Sequence, residues 1–160
     1  MKIIQSLDEL RTFLNQEVSL SEWIVVTQQM IDQFAQATGD QQWIHVDPKR
    51  ASEGPFKTTI AHGFLTLSLI PKMISTALTL PPTGMAINYG LNKVRFTKTV
   101  PVNAKVRGRF FLTDIEILSS PVDQKEVGYQ MNWKVTIEQE GETKPVCIAE
   151  SITRRYNKTN

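Results

Sequence analysis

Two histidines and a single cysteine are all that the 160 residues offer of the side chains most used for metal binding and neutral-pH proton transfer. One cysteine, Cys147, forms no intrachain disulfide and fits no cysteine-rich zinc pattern. An excess of one charge is also missing. Eighteen Lys and Arg stand against sixteen Asp and Glu, a formal net charge of +2, which is not the footprint of a nucleic-acid binder. No apolar run reaches the roughly 18 uncharged residues that a bilayer-spanning helix needs. The nearest, 58–80, is interrupted by Pro71, Lys72 and hydroxyl side chains. The N-terminal residues carry no apolar segment followed by a small-residue cleavage site, so no signal peptide is expected. There is no Gly-x-Ser-x-Gly elbow, no phosphate loop and no Gly-x-Gly-x-x-Gly. His45, His62, Asp47 and Cys147 match no usual metal-ligand spacing. The expectation is a cytoplasmic single domain over 1–160, acting without metal or cofactor and without nucleic-acid or membrane partners.

What is present divides into two halves. Leu7, Leu10, Phe13 and Leu14 fall at helical spacing behind Ser6, a fitting N-cap. The β-branched run 23–27 reads as a strand. Met30, Ile31, Phe34, Ala35 and Thr38 line one helical face over 28–38, and Gly39 is placed to end that helix. Asp47-Pro48 provides a cap followed by proline at the first helical position, predicting a short helix to about Glu53. The longest helical pattern is 59–78, apolar on nearly every side and therefore buried, with Pro71 kinking it or opening a second segment. From 85 onward the period falls to two. Strands are expected over 85–91, 93–100, 105–118, 127–139 and 145–156, joined by Pro-, Asn-, Asp- or Gly-containing turns. Helices followed by hairpin-linked strands make an α+β protein, with the long helix buried against a curved antiparallel sheet.

Two segments carry chemistry. In Ala37-Thr38-Gly39-Asp40-Gln41-Gln42-Trp43-Ile44-His45 a carboxylate and an imidazole share one short loop. Together they can orient a water molecule and move its proton. Taken singly, Asp40 is an ordinary turn residue and His45 an ordinary half-buried histidine. Asp47 reads as a helix cap. The second segment, Ala61-His62-Gly63-Phe64, opens the apolar helix. There the first backbone N–H groups lack intrahelical acceptors, and a glycine admits a ligand closely. Such an N–H can stabilise a developing oxyanion. The plainer reading is that Gly63 permits close packing. Cys147, in an apolar strand, reads as core.

Phe34–Ala51 resembles the hydratase signature of the MaoC-like family, and Thr59–Leu69 resembles its second block. Gly-Asp, the spacing to histidine, the following proline and the His-Gly helix start all match. Gln42-Trp43 departs from the Asn-Pro of much of the family and is similar to the subgroup of nodulation protein N. The resemblance implies a hot-dog fold, in which a curved antiparallel sheet wraps a long central helix, usually as a homodimer. It implies an (R)-specific enoyl-CoA hydratase acting on an acyl thioester of coenzyme A or of an acyl carrier protein. Asp40 and His45 would activate the water added across the trans-2 double bond, and the Gly63 N–H would receive the thioester oxygen. Gln42, Trp43 and His62 are the candidate substrate-binding residues.

Two alternatives remain at this level. One is a thioesterase in which Asp40 directs water at the carbonyl carbon, and the other is a non-catalytic acyl-thioester binding module. Tyr89 and Phe96 are candidates for the wall of an acyl tunnel. Asn92, Lys93 and Arg95 could meet a coenzyme phosphate, although a solvated strand face is the simpler reading.

Overall fold

The computed structural model describes residues 1–158. Its helix ends follow local hydrogen-bond chemistry. The Ser6 hydroxyl accepts from the Glu9 N–H to open α1 (Leu7–Arg11), while the Glu9 carboxylate accepts from the Gln5 N–H. Helix α1 ends earlier than the apolar spacing to Leu14 predicts. Turns carry the chain to Asn15 at φ 58°, and β2 (Gln16–Leu20) begins where no strand was expected. Short strand β1 (Lys2–Ile3) precedes these elements, and β3 (Ile24–Val25) occupies part of the expected run 23–27. Thr27 caps α2 (Gln28–Thr38) through its hydroxyl. Gly39 ends it in the left-handed conformation at φ 79°, where a side chain would be strained.

The segment read as a loop between α2 and Asp47 contains one helical turn, α3 (Trp43–Val46). Asp47 then accepts from the Arg50 N–H and opens α4 (Pro48–Glu53), with Pro48 in the first turn as expected.

The long apolar pattern starts four residues later than periodicity suggests. Residues 59–62 are extended because residues 100–102 capture their backbone: Ala61 donates to the Val100 carbonyl at 2.8 Å, and Val102 to that of Thr59 at 2.9 Å. Helix proper runs as α5 (Gly63–Ser68) and α6 (Ile70–Ala77), with Pro71 in the first turn of the second piece. Strand β4 (Leu78–Thr79) follows and pairs in parallel with β1.

The second half forms an antiparallel sheet of β5 (Met85–Phe96), β6 (Lys105–Ser119), β7 (Glu126–Gln139) and β8 (Cys147–Tyr156) with β2 and β3. The order is β2-β6-β7-β8-β5, and β3 also pairs with β6. The two strands expected over 85–91 and 93–100 are in fact one. Register shifts at Asn88/Gly90 and Leu91/Val94 absorb the irregularity, and 97–100 leaves the sheet to meet 60–61.

Between helix and sheet lies the core. Met73 and Ala77 of α6 are fully buried with Phe110, Leu112, Val135 and Ile137. Phe110 meets Trp133 edge to face at 6.3 Å. Each of the larger aliphatic and aromatic side chains here contributes about 1.5–3 kcal/mol by leaving water. Cys147 is buried in this core, and desolvation raises its thiol pKa to about 11. β5 is different. It is an edge strand, and Met85, Ile87, Tyr89 and Leu91 are all exposed along it.

Candidate active site

The end of α2, the turn α3 and the start of α5 converge on His45. Its ring is buried, 6% exposed, and three bonds hold the residue. Nδ1 lies 2.7 Å from the Ile60 carbonyl oxygen, the backbone N–H donates to the Gln42 carbonyl, and the carbonyl accepts from Gln28 Nε2 at 2.8 Å. A ring nitrogen beside a carbonyl is the donor, so neutral His45 carries its proton on Nδ1 and keeps a lone pair on Nε2. Burial lowers the pKa of His45 below the usual histidine value, and the Ile60 hydrogen bond opposes this less strongly. Nearby His62 lowers it further, while Asp40 acts to raise it.

Asp40 follows Gly39 directly, and its carboxylate is about half exposed. Asp40, His45 and His62 each bring one oxygen or ring nitrogen to within 4.8 Å of the others. That span suits one water molecule bonded to both carboxylate and imidazole. The same three donors invite the question of a metal. However, the His45 and His62 rings stack at 3.7 Å with an interplanar angle of 24°. A ligating imidazole keeps its ion near the ring plane at about 2.0–2.1 Å, and two nearly parallel planes share no such point. As arranged, the cluster suits a water better than an ion.

Gly63 begins α5, so its N–H is among those that helix geometry leaves without an intrahelical acceptor. A Cβ at Gly63 would lie 2.8 Å from the Phe96 ring, which makes the glycine a requirement of close approach. His45 and Gly63 together line two cavities. One, of about 370 Å³, continues along Phe96 to Val100. The other, of about 430 Å³, reaches Phe34, Asp40, His62 and Phe64. Lys98, at the rim of the first, is paired with Glu142.

The remaining expected site residues sit differently. Gln42 is exposed, and its backbone carbonyl accepts from the His45 N–H at 2.9 Å. The Trp43 ring lies against Gly54, with the Arg50 guanidinium 4.7 Å from its centroid. Neither Gln42 nor Trp43 lines either cavity. In this structure both support the loop. His62 is 3% exposed and meets Asp40, His45 and Phe34. Tyr89 lies on the exposed edge strand, and Phe96 lines the first cavity. Lys93 pairs with Glu150, and Arg95 donates to a neighbouring carbonyl.

Sequence reasoning missed Gln28 and Ile60. Gln28 bridges the His45 carbonyl, Asp32 and Thr59, and Ile60 offers only its carbonyl. A polar residue in the first turn of an amphipathic helix, and a backbone oxygen, leave no sequence signal of this use.

Helix against antiparallel sheet, with a carboxylate, an imidazole and a glycine N–H gathered at the helix start, defines a family. Residues 10–133 match the MaoC like domain, and the chain belongs to that family. It is 46% identical over 154 residues to 3-hydroxyacyl-thioester dehydratase Z of Mycobacterium tuberculosis, covering 96% of this chain and 98% of the relative. It is 42% identical over 150 residues to nodulation protein N of Rhizobium leguminosarum bv. viciae, covering 92% and 89%. Among solved structures, the unliganded R-hydratase PhaJ1 of Pseudomonas aeruginosa aligns with a TM-score of 0.68 at 22% identity, covering 91% of this chain and 83% of its own. The (R)-hydratase of A. caviae involved in PHA biosynthesis aligns at 0.65 and 20%, covering 88% and 94%. The fold is the hot-dog architecture that the resemblance implied.

Proposed function

We infer that this protein is an (R)-specific enoyl-thioester hydratase, acting in either direction between a trans-2-enoyl and an (R)-3-hydroxyacyl thioester. The observation that carries the reading is the Asp40 carboxylate and a His45 ring nitrogen within 4.8 Å of each other, beside the Gly63 N–H and two cavities. The name of the relative that is 46% identical, 3-hydroxyacyl-thioester dehydratase Z, supports it.

The chemistry follows from the groups. His45 Nε2, unprotonated, and the Asp40 carboxylate both accept hydrogen bonds, so one water between them is oriented by its two protons toward the pair. Its oxygen attacks the β carbon, and its proton passes to one of the two acceptors. The same pair then supplies a proton to the α carbon. Negative charge accumulates on the thioester oxygen, where the Gly63 N–H stabilises it without reorganising. The thioester bond is not broken.

The acyl group is carried on coenzyme A or on an acyl carrier protein, and the reading extends to a cytoplasmic homodimer. Exposure of Met85, Ile87, Tyr89 and Leu91 on an edge strand supports the pairing of two copies along β5.

The test is loss of enoyl absorbance with crotonyl-, hexenoyl- and decenoyl-CoA, read alongside free-thiol release. Absorbance should fall with no thiol liberated. Asp40→Asn and His45→Gln should each lower kcat by about 10²–10⁴-fold while the melting temperature holds. Thiol release with the double bond retained would instead identify a thioesterase, and normal turnover by both variants would remove the pair from the mechanism.

A further inference from the structure

His62 is more deeply enclosed than a substrate-binding role requires. It is 3% exposed, its Nε2 lies 2.9 Å from the backbone oxygen of Asp40, and its ring lies 3.7 Å below that of His45. The Asp40 carboxylate oxygen is farther away, at 3.9 Å. Nδ1 of His62 is buried with no hydrogen-bond partner among the described residues. These contacts fix the tautomer. A proton on Nε2 gives the carbonyl of Asp40 its donor. A proton on Nδ1 would bury an N–H without an acceptor and set a lone pair against the carbonyl oxygen, which is unfavourable on both counts. By the same reasoning His45 is protonated on Nδ1, facing Ile60.

We propose that the two histidines are a stacked pair held in opposite tautomers, and that His62 is the positioning residue that fixes Asp40. The inference rests on the hydratase reading for its kinetic consequence but not for its structural one. Asp40 follows a left-handed glycine, and locally its own N–H reaches only Thr38 Oγ1, at a long 3.5 Å, while the Gln41 N–H donates to the Gly39 carbonyl at 3.1 Å. The hydrogen bond from His62 ties that peptide to the start of α5, next to the Gly63 N–H. The stack sets the plane of His45, so the carboxylate and the His45 ring stay at one-water separation. The Nε2 of His62 is committed to the Asp40 carbonyl, and its ring is committed to the stack on His45. It serves the reaction through those two residues, and misplacing such groups by about 1 Å costs about a hundredfold in rate.

The chain contains two histidines, so uniformly ¹⁵N-histidine-labelled protein gives two imidazoles to assign. Long-range ¹H–¹⁵N spectra at neutral pH should find His45 as the Nδ1–H tautomer and His62 as the Nε2–H tautomer. His62 as Nδ1–H, or as a rapidly exchanging mixture, would overturn the proposal. The kinetic arm compares two amides of different reach. In His62→Gln the amide extends to the former Nε2 position and keeps a donor for Asp40, so kcat should stay within about fivefold of wild type. In His62→Asn the donor falls short, and kcat should fall about 10- to 100-fold with KM changed less than about threefold. Equal loss in both variants, or loss in neither, would refute the positioning role. Both are small polar amides, and their melting temperatures report any general loss of fold. If wild-type protein hydrates no enoyl thioester, the hydratase reading fails, while the spectra still decide the tautomers.

Discussion

At the scale of the residue, burial sets His45's acid strength. Desolvation lowers its pKa, and the Ile60 hydrogen bond does not offset this fully. The pH at which the neutral base is lost therefore lies below the ordinary histidine value of 6.5. The kcat profile for enoyl-CoA hydration should stay flat as pH falls through 6.5 and decline only at lower pH. In His45→Gln that acid limb should vanish. Stability follows the same sign. The unfolded chain binds a proton at His45 that the folded chain resists, so this contribution is complete above 6.5 and lost as pH falls through the lowered value. Urea titrations of wild type and His45→Gln at several pH values would display the difference. Gly63 is the second residue-scale case. With Phe96 2.8 Å from where a Cβ would stand, Gly63→Ala should cost about 1–3 kcal/mol in a urea titration. Phe96→Leu in the same chain should restore part of it.

At the scale of the element, caps and backbone conformations decide where the loop begins and ends. Ser6, Thr27 and Asp47 each accept a backbone N–H at a helix start, and Gly39 closes α2. Asp47 lies two residues from His45 in the chain, and its carboxylate is occupied by the Arg50 N–H at 3.0 Å. Asp47→Ala should therefore lower stability by about 0.5–2 kcal/mol while leaving kcat close to wild type, a clean contrast with Asp40→Asn. Ser6, Gly39 and Asp47-Pro48 were legible because capping depends on a few neighbouring residues. The false start of the helix at 59 has the opposite origin. Its apolar spacing is genuine, but 100–102, some forty positions away, take the backbone bonds of 59–61. β2 was missed for a similar reason: Gln16, Glu17 and Ser19 lack strand-like alternation, and pairing with β6 supplies what their side chains do not.

At the scale of the molecule, the sheet leaves one long side unmatched. β5 offers twelve residues of edge backbone with Met85, Ile87, Tyr89 and Leu91 exposed, a surface that isolated proteins generally shield. Light scattering should return about twice the chain mass of 18.2 kDa. Tyr89→Arg combined with Leu91→Arg should return the single-chain mass by opposing like charges across a self-pairing edge. A wild-type monomer would refute the β5 pairing without touching the chemistry assigned to Asp40 and His45.

The chain's order of residues determined by itself whatever depends on near neighbours: the helical patterns ahead of the long strands, the caps, the glycine turn, and the presence of Asp40, His45 and Gly63 in two short blocks. Hydrogen bonding and side-chain period act over a few positions, so they are written locally. Tertiary structure alone decided that His45 stacks on His62, that Ile60 and Gln28 hold it, that Trp43 packs away from the cavities, and that Phe96 forbids a side chain at Gly63. Each of these is a contact between segments that only the packing of helix on sheet brings together.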